Sequence, residues 1–273
     1  MRLATWNLNS LGVRLPHLQA WLAQQPVDVL ALQELKMSDE KFPHDELRAA
    51  GFHAASFGQK SYNGVALLAR APLRDVQRIT PCDGDDSARL IAATVDAPSG
   101  ALRVASAYFV NGQAPGTEKF DYKMRWLDAL HDWLQGELAR HERLLLMGDF
   151  NIAPQDADSH APAALAHTVC HTPQEKAHFA RLLALGMADA FRLFDQPAGS
   201  YTWWDYRQAS FRRNQGLRID HILASRALAP QVRACTIDRT PRTWERPSDH
   251  APMLVELACS MGYRFIAGFI SRR

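Results

Sequence analysis

The sequence has 273 residues, of which 47% are hydrophobic and 22% are charged, a balance that allows a sizeable buried core and excludes a disordered chain. Its formal net charge is only +2 at pH 7, which excludes a uniformly basic surface. A face that binds a polyanion would therefore have to arise from local clustering of Lys and Arg.

Short apolar runs alternate with helical patterns along most of the chain, as is typical of layered folds that contain both helices and sheets. The apolar runs predict these strands: Arg2–Asn7, Val27–Leu32, Gly64–Ala69, Leu90–Val95, Leu102–Tyr108, Leu144–Met147, Asp220–Ala224 and Pro252–Leu257. Apolar residues at three- and four-residue steps predict these helices: Leu15–Gln25, Tyr122–Arg140 and Glu175–Leu185.

The segment Ala153–Gln174 is polar, rich in His and Ala, and contains three prolines. We predict a long surface loop over this segment. Loops of this length are uncommon in compact domains, and those that occur are usually functional or mobile.

The cysteines and the chain start indicate the cellular compartment. Cys82, Cys170, Cys235 and Cys259 form no C-x-x-C pair, which argues against a zinc cage or a disulfide framework and is typical of a reducing cytosol. The N-terminus lacks the pattern of a signal peptide, and no apolar run approaches the ~20 residues that cross a bilayer. We therefore expect a soluble cytoplasmic protein with no membrane partner.

Acidic, amide and imidazole side chains recur at or beside the ends of separate predicted strands. They are Asn7, Glu34, Asp149, Asn151, Asp220, Asp249 and His250. Loops that leave strand ends on one side of a layered fold converge, so residues distant in sequence can form one site. Phosphodiester hydrolysis requires a hard cation, a positioned water and donors to the phosphate oxygens, and oxygen ligands suit Mg²⁺. The pattern therefore indicates a metal-dependent phosphodiesterase.

Each of these residues also has a structural interpretation. Glu34 could be a solvated or capping group, and Asp149 and Asn151 could serve a turn without catalytic duty. His250, with Asp220 entering the same face, could hold a fixed tautomer, stabilise charge or move a proton. Since no G-x-S-x-G motif is present, water is the expected nucleophile.

Arginines and aromatic residues alternate in one further segment. They are Trp204, Tyr206, Arg207, Phe211, Arg212, Arg213 and Arg218. Such interleaving suits a phosphate backbone and stacked bases, although charge runs are more often plain solvated surface.

Eight short motifs occur in this chain order: Trp6–Ser10, Gln33–Lys36, Tyr62–Ala66, Tyr108–Gly112, Gly148–Ile152, Trp203–Arg207, Leu217–Asp220 and Ser248–Pro252. In this order they resemble the motifs of the exonuclease III family of abasic-site (AP) endonucleases, in the endonuclease/exonuclease/phosphatase superfamily. The resemblance extends from about residue 2 to about residue 257. Two positions differ from the family motifs: Leu35 stands where the family usually has Thr, and Val110 stands where it commonly has Pro. Neither position is that of a ligand.

The resemblance implies an α/β fold, a four-layer αββα sandwich with two mixed β-sheets packed face to face and helices outside. A catalytic domain would occupy residues 1–258, followed by a C-terminal tail of unknown role over residues 259–273. The implied enzyme is a monomer that uses Mg²⁺, with Mn²⁺ able to substitute, to hydrolyse phosphodiester bonds in double-stranded DNA. It would act as a 3′→5′ exonuclease and as an AP endonuclease that cuts 5′ to abasic sites, leaving 3′-hydroxyl and 5′-phosphate ends.

The resemblance also implies a role for each candidate residue. The metal ligands would be Asn7, Glu34 and Asp249, joined by Asp149 and Asn151 if a second ion binds. The catalytic residues would be Tyr108, Asp149, Asn151, Asp220 and His250, with the general base open between Asp149 and His250. The pocket for the flipped-out abasic deoxyribose would be lined by Trp203, Leu217 and Ile219. The DNA-contact residues would be Asn63, Asn111, Arg207, Arg212, Arg213 and Arg218.

Several alternatives stay open at this point. Sphingomyelinases and inositol-polyphosphate phosphatases share the Glu, Asp-x-Asn and Ser-Asp-His elements, although Trp203–Arg207 and Leu217–Asp220 favour DNA. A nuclease-dead DNA-binding protein is disfavoured because the positions that the mechanism needs keep competent side chains. Leu217 and Ile219 could instead be core residues that flank a strand. The bulk of Ala153–Gln174, with His160, His167 and His171, would lie beside the abasic pocket and favour terminal over internal cleavage.

Overall fold

The computed structural model describes residues 1–82 and 84–258, and the predicted tail lies outside the described residues. The strands are β1 (Arg2–Asn7), β2 (Val29–Gln33), β3 (His53–Phe57), β4 (Val65–Ala69), β5 (Leu73–Ile79), β6 (Leu90–Ala97), β7 (Gly100–Tyr108), β8 (Leu144–Asp149), β9 (Met187–Asp189), β10 (Asp220–Ser225), β11 (Val232–Ile237) and β12 (Met253–Leu257). The helices are α1 (Leu11–Gln24), α2 (His44–Ala49), α3 (Glu118–Arg140), α4 (Pro162–Leu165) and α5 (Pro173–Ala184).

The strands form two six-stranded mixed sheets, in the orders β11-β12-β1-β2-β4-β3 and β5-β6-β7-β8-β10-β9. The pairs β1–β2 and β7–β8 are parallel, and the other neighbouring pairs are antiparallel. At one end of the second sheet, Asp149 is paired with both Tyr108 and Asp220. The strand register therefore aligns three predicted catalytic residues side by side.

Three apolar clusters separate the layers of the molecule. Side chains alternate between the two faces of a strand, so Leu3 and Met147 pack in the layer between the two sheets. Their neighbours Ala4 and Leu146 face outward, toward the layers that contain α1 and α3 respectively. Burial of each such leucine contributes roughly 1.5–3 kcal/mol. The predicted four-layer α/β sandwich is confirmed.

Helix α3 presents the apolar stripe that its sequence predicts, with Leu127, Leu130 and Leu134 buried against the second sheet. It begins before the predicted start because Thr117 caps it: the Thr117 Oγ1 accepts a hydrogen bond of 3.3 Å from the backbone N–H of Phe120. In the described part of the chain, no helix combines the length and the apolar character that a membrane span requires.

The segment Ala153–Gln174 lies largely at the surface, as predicted, but it is not one unbroken loop. The segment contains a 3₁₀ turn at Asp156–Asp158 and the short helix α4, and α5 already begins at Pro173. Asp158 is fully buried, and its carboxylate accepts hydrogen bonds of 2.6 and 3.2 Å from the guanidinium of Arg218. Asp158 therefore anchors the segment in the protein, while most of its other residues are exposed or half-buried.

Candidate active site

The side chain of Asn7 connects the two sheets at the end where the predicted site residues lie. Asn7 ends β1 in the first sheet, and its Nδ2 donates hydrogen bonds of 2.9 Å to Glu34 Oε1 and of 2.9 Å to Asp149 Oδ2 in the second sheet. Its Oδ1 accepts a hydrogen bond of 2.9 Å from the backbone N–H of Asn9. The nitrogen of this predicted ligand, and not its oxygen, thus faces the two carboxylates.

Backbone geometry turns these side chains out of the strands. Glu34 has φ +52°, a left-handed conformation that costs a non-glycine residue roughly 1–2 kcal/mol and ends β2 directly after Gln33. Such strain is commonly concentrated at functional sites. In β8, a Cβ at Gly148 would overlap the carbonyl oxygen of Ala107, so only glycine allows β7 and β8 to approach directly before Asp149.

The described residues contain one group of side chains arranged to hold a metal ion. Glu34, Asp149 and His250 each place one potential ligand atom within 4.8 Å of the other two. The two carboxylates are the hard oxygen donors that Mg²⁺ prefers. The ammonium of Lys36 lies 2.9 Å from Glu34 Oε2, so this carboxylate already has a positively charged neighbour.

Asp249 is adjacent in sequence to this group but does not belong to it. Its Oδ1 accepts a hydrogen bond of 2.9 Å from Asn9 Nδ2, and its Oδ2 accepts one of 2.9 Å from Trp203 Nε1. The role of Asp249 as a direct ligand stays a prediction. Asn9 was not singled out from the sequence, although it lies within the first motif.

His250 forms the pair with Asp220 that the sequence predicts. The Nδ1 of His250 lies 2.8 Å from Asp220 Oδ2, and its Nε2 lies 3.7 Å from Asp149 Oδ2. Burial lowers the pKa of His250, but the carboxylates of Asp220 and Asp149 outweigh burial and raise it to about 10. The two carboxylates thus favour the protonated imidazole, whose Nε2 side faces Asp149.

Burial also changes the protonation of the neighbouring acids. Burial raises the pKa of Asp149 to about 7, since the opposing effect of His250 is offset by the nearby carboxylates of Asp220 and Glu34. Burial, with Glu34 and Asp149 beside it, raises the pKa of Tyr108 well above 10. Asp149 can thus exchange a proton near neutral pH, whereas the Tyr108 hydroxyl stays protonated.

A pocket of about 540 Å³ opens above these residues. Its walls include the three predicted pocket residues, Trp203, Leu217 and Ile219, and these pack with Leu165 and Val169 of the loop segment. The loop segment therefore forms one wall of the pocket.

Five of the six predicted DNA-contact residues lie at or near the surface: Asn63, Asn111, Arg207, Arg212 and Arg213. Asn111 Nδ2 donates a hydrogen bond of 3.0 Å to Asn151 Oδ1, which places both amides at the pocket.

The prediction that Arg218 contacts DNA is wrong. Its side chain is fully buried, and its Nη2 lies 2.8 Å from Asp189 Oδ2 while its Nε lies 2.6 Å from Asp158 Oδ1. The two carboxylates satisfy the guanidinium charge inside the protein, since a charge can be buried only when it is paired.

His221 is a buried residue that the sequence analysis did not single out. Its Nδ1 lies 3.1 Å from Arg218 Nη1, which can only donate, so Nε2 carries the proton and donates to the Ile152 carbonyl oxygen over 2.9 Å. Burial, together with the charge of Arg218, lowers the pKa of His221 to about 4.

The lowered pKa of His221 predicts loss of stability in acid. The unfolded chain binds a proton at this histidine below pH ~6.5, whereas the folded protein does so only near pH 4. The free energy of unfolding should therefore fall by about 2 kcal/mol between pH 7 and pH 5 through this residue alone. In urea denaturation, the free energy of unfolding of His221→Gln should fall by about 2 kcal/mol less than that of the wild type between pH 7 and pH 5. The same pH dependence in the variant and the wild type would contradict the lowered pKa of His221.

Comparison with known proteins agrees with this geometry. The model of the endonuclease/exonuclease/phosphatase family matches residues 4–250. Exodeoxyribonuclease III of Haemophilus influenzae is 36% identical over 265 residues, which cover 94% of this chain and 99% of the relative. The 3′ phosphatase NExo from Neisseria, solved bound to a product DNA hairpin, superposes with a TM-score of 0.91 at 44% identity, covering 94% of this chain and 99% of that one. An AP endonuclease from Archaeoglobus fulgidus superposes with a TM-score of 0.89 at 33% sequence identity, covering 94% of this chain and 99% of that one.

Paired carboxylates and an imidazolium at the strand ends of an αββα sandwich define a hydrolase of phosphate esters. The chain belongs to the endonuclease/exonuclease/phosphatase family and, within it, to the exonuclease III family.

Proposed function

We propose that this protein is a DNA-repair nuclease that hydrolyses phosphodiester bonds in double-stranded DNA. It removes nucleotides from 3′ ends and cuts 5′ to abasic sites, leaving 3′-hydroxyl and 5′-phosphate ends. The observation that carries the proposal is that Glu34, Asp149 and His250 line the pocket with potential ligand atoms within 4.8 Å of one another. The relatives named as an exodeoxyribonuclease III, an AP endonuclease and a 3′ phosphatase support DNA as the substrate.

Glu34 and Asp149 are the residues proposed to hold the metal ion. Their oxygens suit Mg²⁺, which takes one or two carboxylates from a protein and keeps several waters, and Mn²⁺ accepts similar donors. When bound, the cation supplies positive charge to the scissile phosphate and to the leaving oxygen. Asn7 orients both carboxylates through its amide nitrogen.

Asp149 is the proposed general base, because its carboxylate lines the pocket between Glu34 and His250, where it can take a proton from water. His250, kept protonated and oriented by Asp220, stabilises the negative charge that develops on the phosphate. Asn151 and Tyr108 line the pocket, and the proposed donors to the non-bridging oxygens are the Tyr108 hydroxyl and the Asn151 N–H that does not bond to the Phe109 carbonyl.

The loop wall is proposed to influence which DNA end or lesion is cut. Leu165 and Val169 narrow the space next to Leu217 and Ile219, where an abasic deoxyribose would be received. The bulk of this wall favours 3′-terminal substrates over internal abasic sites.

We further propose that residues 1–258 act as one catalytic domain, as a monomer and in the cytoplasm. Cys170 and Cys235 are buried thiols in no disulfide, which suits a reducing compartment.

The test is cleavage of three labelled duplexes by the purified chain, resolved on a denaturing gel. One duplex carries an internal abasic analogue, the second a recessed 3′-hydroxyl end and the third a 3′-phosphate. We expect Mg²⁺-dependent products from the DNA substrates, ends that DNA ligase can join, and no products with a chelator. No Mg²⁺-dependent product from any of the three would reject the proposal, and release of phosphate from inositol phosphates alone would support the non-DNA alternative.

A further inference from the structure

A lysine side chain is completely buried beneath the loops at the catalytic end of the second sheet. Lys123 lies on α3, and its side chain is 0% exposed. Its ammonium donates hydrogen bonds to the carbonyl oxygens of Asn151, over 2.8 Å, and Asn111, over 3.2 Å, and pairs with the carboxylate of Glu175. These acceptors use all three N–H donors of an ammonium group. The proposed reaction does not itself use this residue.

Glu175 connects the same ammonium to the segment that precedes α5. Its Oε1 accepts a hydrogen bond of 2.9 Å from the backbone N–H of Cys170, and its Oε2 accepts bonds of 3.0 and 2.7 Å from the N–H and hydroxyl of Thr172. The ion pair thereby joins the connections after β7, after β8 and before α5. All three connections contribute residues to the pocket.

The two carbonyls that Lys123 holds belong to the amide residues at the edge of the site. Asn151 has φ +50°, a left-handed conformation that its surroundings must stabilise, and its Nδ2 donates a hydrogen bond of 3.1 Å to the Phe109 carbonyl oxygen. The loop of Asn111 rests on the lysine stem, since a Cβ at Gly112 would lie 2.9 Å from Lys123 Cδ. Lys123 thus contacts the main chain of both amide residues.

We infer that Lys123 is a positioning residue for phosphodiester hydrolysis: it sets the orientation of Asn111 and Asn151 toward the scissile phosphate through their main-chain carbonyls. The inference rests on the proposed function of the same site. Displacement of a substrate contact by about 1 Å can lower the rate by 10²-fold. Loss of the hydrogen bonds from Lys123 to the two carbonyls should therefore lower kcat. A purely structural lysine would change the stability of the protein but not the turnover of the folded fraction.

The chain offers a matched control on the same helix. Arg103 and Glu137 form a second ion pair with both side chains 0% exposed, and Glu137 lies on α3 as Lys123 does. Arg103 precedes Tyr108 by five residues on β7, roughly 16 Å from the catalytic end at about 3.3 Å per residue. Its other acceptors lie on β5 and β6, away from the pocket.

The test compares two double variants of the full chain on duplex DNA with a recessed 3′ end and saturating Mg²⁺, well below each melting temperature. One variant combines Lys123→Met with Glu175→Gln, and the other combines Arg103→Met with Glu137→Gln. Both charges of a pair are removed together because a single buried charge left without its partner destabilises strongly. For the Lys123 variant we expect kcat to fall at least ~30-fold, with KM staying within ~3-fold of the wild-type value. For the Arg103 control variant we expect kcat to stay within ~3-fold of the wild-type value.

A conservative variant separates positioning from packing. Lys123→Gln combined with Glu175→Gln keeps an uncharged N–H donor for the two carbonyls, so its kcat should exceed that of the methionine variant at least ~3-fold. If the methionine variant does not fold, this glutamine variant is compared with Arg103→Gln combined with Glu137→Gln. A loss of roughly tenfold in kcat is then expected in the Lys123 variant alone.

Equal kcat values for the Lys123 and Arg103 variants, or a loss confined to KM, would overturn the inference. A wild-type protein that cleaves no DNA in the same assay would instead overturn the proposed function. The two failures are therefore distinguishable.

Discussion

Asp149→Asn is expected to lower kcat for duplex DNA by at least ~10³-fold, about 4 kcal/mol of transition-state stabilisation. The substitution keeps the shape of the side chain and an oxygen that can accept the hydrogen bond from Asn7 Nδ2. It removes the negative charge that would bind the cation and the carboxylate oxygen, 3.7 Å from His250 Nε2, that would accept the proton of water. DNA affinity, measured without Mg²⁺, should stay within ~3-fold because phosphate contacts dominate such binding.

The control for this substitution is Asp238→Asn. Asp238 accepts hydrogen bonds of 2.9 and 3.2 Å from the side chains of Trp21 and Gln25, on the outer layer of the first sheet. Its kcat should match wild type within ~3-fold, since surface substitutions away from a site have small effects. Undiminished turnover in Asp149→Asn would contradict both roles assigned to this carboxylate.

Glu34→Gln should abolish most cleavage at an Mg²⁺ concentration that saturates the wild type, with kcat lower by about 10³-fold, since a bound cation contributes several kcal/mol. The neutral amide also loses the attraction of Lys36, which pairs with this carboxylate in the structure. A titration of Mg²⁺ should show a higher half-saturating concentration and partial recovery of turnover. DNA binding should persist.

Glu256→Gln is the matched control for Glu34→Gln. Glu256 pairs with Arg2 over 3.0 Å, at the end of β1 opposite to Asn7. Its Mg²⁺ dependence should equal that of wild type. An unchanged half-saturating Mg²⁺ concentration in Glu34→Gln would exclude this glutamate from the metal site.

Every predicted strand occurs in the structure, with ends that differ by at most two residues, and these strands fill the interiors of the two sheets. In the described part of the chain, the strands that the analysis missed are β3, β5, β9 and β11, which are the four sheet edges. An edge strand is paired on one side and needs no continuous apolar run. Thus β5 is exposed along most of its length, β9 has three residues, and β11 contains a register shift after Val232.

The candidate site was predictable as a set of residue types but not as a set of contacts. Residues at or beside the ends of interior strands do meet in space. Glu34 follows β2, Asp149 ends β8 and His250 precedes β12, and the parallel and antiparallel registers align these strand ends. Arg218 has the sequence signature of a surface cation, yet it pairs inside the protein with Asp158 and Asp189. Partners so distant in sequence leave no local pattern.

The sequence by itself determined the layered α/β fold, the interior strands and the family, because apolar periodicity and short motifs are local properties of the chain. Only the tertiary structure decided which atom of each polar side chain faces the reaction. The nitrogen of Asn7 faces the carboxylates, Asp249 is held by Asn9 and Trp203, and Lys123 lies beneath the amides. The direction of a buried polar group depends on the hydrogen-bond partners that folding brings to it from other segments.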